Sequence, residues 1–148
     1  MSTYTQITYH LVFATRDRKP VLSSERREDL FRYIWGITQN HHCHLYRING
    51  VEDHIHLLTT LHPSLRLSDL VKEIKLSSGK WIKENKVFPM FDFWQDGYGA
   101  FTHGAADRPR MIEYIINQQE HHKKVSFYDE LRQLLIEAGI EFDEKYLI

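Results

Sequence analysis

Hydrophobic and polar positions along this chain switch between a period near two and a period near 3.6, and the switches mark the elements. Thr5–Thr15 (TQITYHLVFAT) is rich in β-branched and aromatic residues and predicts a strand, ended by the charged turn Arg16–Pro20. From a cap at Ser23 or Ser24 to about Asn40, the residues Leu30, Phe31, Ile34, Trp35 and Thr38 recur at helical spacing. A short strand His44–Ile48, the turn dipeptide Asn49-Gly50 and a strand within Val51–Leu61 predict a hairpin. Ser68 caps a second helix to about Asn85, with an apolar stripe of Leu67, Leu70, Val71, Ile74, Ser78, Trp81 and Ile82. Phe91–Thr102 reads as a strand bent at its glycines. A third helix starts near Asp107-Arg108-Pro109 and reaches about Lys124, and a last amphipathic helix spans Tyr128–Ala138 before Gly139.

The order β-α-β-β-α-β, followed by two helices, predicts an α+β fold. Its centre is a ferredoxin-like (RRM-like) antiparallel sheet with helices on one face, and the third strand lies at the middle of the sheet. The 148 residues then divide, within one domain, into a core over 1–103, a helix over 107–124 and an acidic helix and tail over 126–148.

Composition adds bounds rather than chemistry. Hydrophobic content of 42% and charged content of 26% are ordinary for a globular chain, and no apolar run suffices for a membrane span. The N-terminus lacks the pattern of a signal peptide, and the single Cys43 excludes an internal disulfide, so a reducing cytoplasm is expected. The net charge of −1 conceals a split: residues 126–148 carry six acids and two bases, while residues 1–125 carry 17 bases and 14 acids. A modestly basic body is compatible with a phosphate-binding surface.

The chemistry concentrates in two places. On a strand, His54 and His56 project from one face while Ile55 and Leu57 point to the other, so two imidazoles can share one divalent ion if a third ligand arrives. On the third helix, Tyr114, Gln118 and His121 share an arc beside the apolar arc of Met111, Ile112, Ile115 and Ile116. A phenol becomes a nucleophile once deprotonated, and an amide oxygen is a hard ligand suited to Mg²⁺ or Mn²⁺. Taken singly, each feature reads first as the ordinary one: a strand histidine pair, and a boundary tyrosine beside a solvated glutamine.

Together they carry a resemblance. Asp53–Leu58 (DHIHLL) resembles the His-hydrophobic-His motif of the single-tyrosine transposases of the insertion-sequence-200/605 type. Tyr9–Phe13, Leu67–Lys83, Phe93–Thr102 and Tyr114–Gln118 are similar, in order, to that family's first strand, second helix, fourth strand and tyrosine helix. The resemblance implies Tyr114 as nucleophile and His54, His56 and Gln118 as ligands of Mg²⁺ or Mn²⁺; His121, which shares the face of Tyr114, and Asn117 are candidate auxiliary residues. It implies cleavage and rejoining of single-stranded DNA at hairpin-marked element ends through a 5′-phosphotyrosine, without ATP or any nucleotide cofactor. It also implies a homodimer in which the tyrosine helix of one subunit completes the other's site.

Phosphate contacts are expected from Arg16, Arg18 and Lys19 after the first strand, and from Lys72, Lys75, Lys83 and Lys86, which share about 80° of helical arc. The rival class is a domesticated, non-cleaving module that binds hairpin DNA or RNA by stacking bases on Tyr4, Tyr9, Phe13 or Trp94. A hydrolase using water is weaker, because Tyr114 would have no task. His41-His42-Cys43-His44 lacks a second pair at zinc-finger spacing, and Gly97 and Gly99 read as strand bends rather than a phosphate cradle.

Overall fold

A computed structural model describes residues 2–147. Its sheet has four antiparallel strands, β1 (Thr8–Ala14), β2 (Leu45–Gly50), β3 (His54–Thr60) and β4 (Gly99–His103), in the order β2-β3-β1-β4. Helices α1 (Ser24–Asn40) and α2 (Leu67–Glu84) follow β1 and β3. The α+β, ferredoxin-like arrangement expected from the element order is what the chain adopts.

Alternation on the two central strands builds two separate cores. Leu11, Phe13, Ile55 and Leu57 point to one face and pack with Leu30, Ile34, Leu70, Val71 and Ile74 of α1 and α2. On the opposite face, Val12, Ala14 and Phe101 pack with Phe127 of α5 (Phe127–Glu137), and Leu58 packs with Met111 and Ile115 of α3 (Arg108–Ile116). The C-terminal helices therefore roof the second face, and β3 runs beneath them. Among the described residues, no helix is long and apolar enough to cross a membrane.

Several local expectations are corrected. Asn49 and Gly50 do not form the turn; both lie in β2, paired with His56 and Ile55, and the connection runs over Val51–Asp53. A side chain at residue 50 would collide with the His54 carbonyl oxygen at 2.5 Å, so glycine serves close approach of the strands rather than a turn. Phe91–Thr102 is not one strand: β4 starts at Gly99, and Trp94 contributes an isolated bridge to Thr15. The tyrosine helix is not continuous to Lys124. It breaks at Asn117 (φ −89°, ψ 17°) and resumes as α4 (Gln118–His121). Helix α2 is capped at Arg66, not Ser68, and Lys86 lies past its end with φ 52°. Trp35 and Ile116 lie on exposed surface, and Ile37 takes the core position in α1.

Candidate metal and nucleophile site

His54 and His56 emerge from β3 on the face opposite Ile55 and Leu57, as strand alternation requires, and the roof of C-terminal helices leaves both 0% exposed. A half-exposed decorative pair is thereby excluded. Four side chains converge there: His54, His56, His122 (just after α4) and Glu130 of α5, with ligand atoms all within 4.8 Å of one another. Oε1 of Glu130 lies 2.9 Å from His56 Nε2, 3.0 Å from His122 Nε2 and 3.3 Å from His54 Nε2.

The outer nitrogens of two of these rings are already committed. Nδ1 of His54 donates to the Asp53 carboxylate at 2.7 Å, and Nδ1 of His122 donates to the Val125 carbonyl at 2.7 Å. Nε2 of His54 and Nε2 of His122 lie 3.0 Å from each other, and both face the Glu130 carboxylate. Ring nitrogens and a carboxylate this close can be held together by a shared proton or by a metal cation, and the four donors could hold such an ion. Carboxylate and carbonyl partners that fix the tautomer are the outer shell that metal-binding histidines carry.

The other oxygen of Glu130 serves the tyrosine. Oε2 accepts the Tyr114 hydroxyl and, at 3.1 Å, the Gln118 amide Nε2. His121 Nε2 lies 3.3 Å away, and the His121 and Tyr114 ring centroids are 5.6 Å apart. Gln118 is 0% exposed, and among the described residues its Oε1 has no hydrogen-bond partner, an orphaned buried acceptor that fits a nearby cation. Asn117, by contrast, is exposed and its amide reaches back to Glu113, away from the cluster.

Burial and charge set the protonation states. Burial alone would push the Glu130 carboxyl up, but its bonds to His122, His54 and His56 hold it far below the usual carboxylate range. Burial and the Glu130 charge push the Tyr114 phenol up, so in this arrangement it stays protonated. Burial opposes charging of His54, yet hydrogen bonds to Asp53 and Glu130 outweigh it and raise the pKa. His56 is pushed down to about 4 by complete burial, only partly offset by Glu130. Behind it, His10 on β1 places Nε2 2.8 Å from His56 Nδ1, and burial with the neighbouring His56 holds His10 well below its ordinary value.

The expected cationic residues divide. Arg16 is paired with Asp92 at 2.9 Å, and the Arg18 guanidinium lies over the Tyr128 ring of α5. These residues and Lys19 follow β1 where Ala14 is paired with His54, at the site's end of the sheet. Helix α2 packs on the other face. Lys72 is exposed there, Lys83 lies over Phe93, and Lys75 is spent on the carbonyls of Gln95 (2.8 Å) and Gly97 (2.5 Å). Phe13 and Trp94 are core residues at 2% and 1% exposure, which removes them as base-stacking platforms. Cys43 is buried in the core with α1 while His42 and His44 are exposed, and among the described residues the run forms no metal-binding group.

Residues 3–118 match the family model of IS200-like transposases, and the chain belongs to that family. It is 24% identical over 122 residues to the ISDra2 transposase TnpA of Deinococcus radiodurans, covering 78% of this chain and 86% of that protein. A crystal structure of a putative transposase from Deinococcus radiodurans superposes with a TM-score of 0.62 at 26% identity, over 80% of this chain and 95% of that one. A REP-associated tyrosine transposase bound to a REP hairpin shares the fold, with a TM-score of 0.63 at 18% identity over 84% of this chain and 76% of that one. The family match ends at Gln118, so His122 and Glu130 lie beyond it.

Sequence reasoning missed both residues. Helical spacing puts His121, not His122, on the face of Tyr114, and Glu130 looks like one acid among many in the C-terminal segment. The available signal was spacing: Phe127, Glu130, Leu131 and Leu134 recur at helical intervals on one face.

Proposed function

We propose that this chain is a metal-dependent transposase that cleaves and rejoins single-stranded DNA at hairpin-marked ends, with Tyr114 as the nucleophile. The observation that carries the reading is the position of the phenol: within one chain it shares Glu130 with the three histidines of the cation cluster. His54 and His56 would hold the metal with Gln118, as family resemblance implies, and His122 and Glu130 are further donors that this chain supplies. Three imidazoles beside one carboxylate favour Mn²⁺ over the more oxygen-demanding Mg²⁺. A bound divalent ion supplies charge neutralisation to the scissile phosphate.

The chain's own residues do the rest. As Tyr114 attacks phosphorus, its proton passes to Oε2 of Glu130, to which it is already hydrogen-bonded. The P–O3′ bond breaks, the departing 3′ oxygen takes a proton from water, and the phosphate remains on Tyr114 as a 5′-phosphotyrosine. Attack by another strand's 3′-hydroxyl reverses these steps and returns the proton from Glu130 to the phenol, so rejoining needs no ATP. Hairpin DNA as the ligand is supported by the family resemblance and by the REP hairpin that the structural relative binds. Because each chain already brings Tyr114 to its own histidines, a homodimer would serve to hold two DNA ends together.

A non-cleaving hairpin binder has one observation in its favour. The cleft of about 420 Å³ beside Tyr114 is lined by Asp129, Glu130 and Glu137, which repel a phosphate until a cation is present. Incubation with hairpin-bearing single-stranded DNA and Mn²⁺ separates the two. Catalysis predicts nicked DNA with wild type and sharply less with His56→Ala, while hairpin binding persists in both. Binding without any nicking across a range of divalent ions would establish the binder.

A further inference from the structure

We propose that Asn49 and Gln119 form a latch that positions Tyr114 and Gln118 against their own β3 strand. This rests on the catalytic reading of those two residues, but the latch itself is a matter of geometry. Helix α3 stops at Ile116, two residues after Tyr114 and two before Gln118, and at such an end the last carbonyls lose their usual helical partners. Asn49 supplies the partner. Its Nδ2 lies 2.9 Å from the Ile115 carbonyl oxygen, 3.0 Å from that of Ile116 and 2.9 Å from Oε1 of Gln119. Gln119 answers through Nε2, which donates to Oδ1 of Asn49 at 2.7 Å and to the Gly50 carbonyl at 3.1 Å.

The two amides thus bind each other reciprocally, and the backbone N–H of Gly50 donates to Asn49 Oδ1 at 2.9 Å to fix the asparagine rotamer. Placement gives the latch its consequence. Asn49 is directly paired with His56 across the β2–β3 ladder, so the clamp joins the strand beside the metal ligands to the break that separates nucleophile from amide. The other end of α3 is tied to the same strand, where the Arg108 guanidinium sits 4.4 Å from the Tyr46 ring. With both ends of α3 anchored on β2, Tyr114 and Gln118 are presented to the chain's own His54 and His56. A buried asparagine in an edge strand, 7% exposed, is otherwise a costly choice.

The test uses Gln119→Met, which keeps the side-chain length at an exposed position and removes both halves of the amide pair. Hydrogen exchange of the full-length protein should accelerate about tenfold or more over Tyr114–His121 and stay unchanged in β1 and β3. The single-turnover rate of DNA nicking with Mn²⁺ should fall about tenfold, reflecting a misplaced nucleophile, whereas the hairpin concentration giving half the maximal rate stays within about twofold. Unchanged exchange over Tyr114–His121 overturns the latch. So does faster exchange with an unchanged nicking rate, since the amides would then order the helix without positioning the chemistry. If wild type nicks no DNA, the functional reading fails, and the exchange measurement alone decides the latch.

Discussion

Tyr114 donates its hydroxyl to Oε2 of Glu130, a residue sixteen positions along the chain on another helix, while the second oxygen of the same carboxylate faces three histidines. One side chain therefore connects Tyr114, the proposed nucleophile, to the cluster that could hold a metal ion. Burial and the Glu130 charge together hold the phenol protonated; a bound metal cation would neutralise part of that negative charge and ease the phenol toward ionisation.

Removing the Glu130 charge should show first in metal binding. Glu130→Gln is expected to weaken Mn²⁺ binding by at least about tenfold, measured by calorimetry on the purified protein. Wild type should also gain about 2.7 kcal/mol of stability at a Mn²⁺ concentration 100 times its Kd, a gain that EDTA reverses. Equal affinity in the two proteins would place the ion elsewhere.

Acid should destabilise the metal-free protein in a defined window. The unfolded chain takes protons onto His10 and His56 below the ordinary value of 6.5, whereas folded His56 resists down to about 4. Their contribution is full above pH 6.5 and is lost as pH falls toward 4, by on the order of 3 kcal/mol for His56. Glu130, with its depressed pKa, adds a further loss below the usual carboxylate range. His54 has the opposite sign: its raised pKa gives a contribution that is full below 6.5 and declines only above it, so it leaves the acid limb intact. Urea unfolding in EDTA at pH 7.5, 5.5 and 4.5 should show this limb, and His10→Gln should make it shallower. A flat profile over that range contradicts the buried neutral histidines.

Cations around the site should separate by task. Replacing Arg18 and Lys19 together by Ala is expected to weaken hairpin DNA binding and to lower the slope of log K against log salt by about 2. Lys75→Ala should leave that slope alone and instead cost about 1–2 kcal/mol of stability, because the ammonium holds the carbonyls of Gln95 and Gly97. Fluorescence anisotropy over a salt series and urea melts distinguish the two outcomes.

Periodicity carried much of this architecture. Strand alternation alone assigned His54 and His56 to one face and Ile55 and Leu57 to the other, and helical spacing set Tyr114 beside Gln118. What it missed was decided by tertiary contacts. Asn49-Gly50 has the composition of a tight turn, but the amide is needed at the end of α3 and the glycine where β2 meets β3, so the turn moves to Val51–Asp53. The same amide accompanies the break at Asn117, for which the local sequence gives no helix-stopping glycine or proline. Glu130 was hidden by its setting, since an acid on a charged amphipathic helix looks solvated until the helix is seen to roof the sheet.

The most direct measurement is mass spectrometry of the peptide that retains DNA after reaction with a hairpin-bearing single strand and Mn²⁺. A 5′-phosphate linkage on Tyr114 is expected, with no conjugate formed by Tyr114→Phe. Cleaved DNA bearing a free 5′-phosphate, with nicking undiminished in Tyr114→Phe, would contradict it and make water the nucleophile.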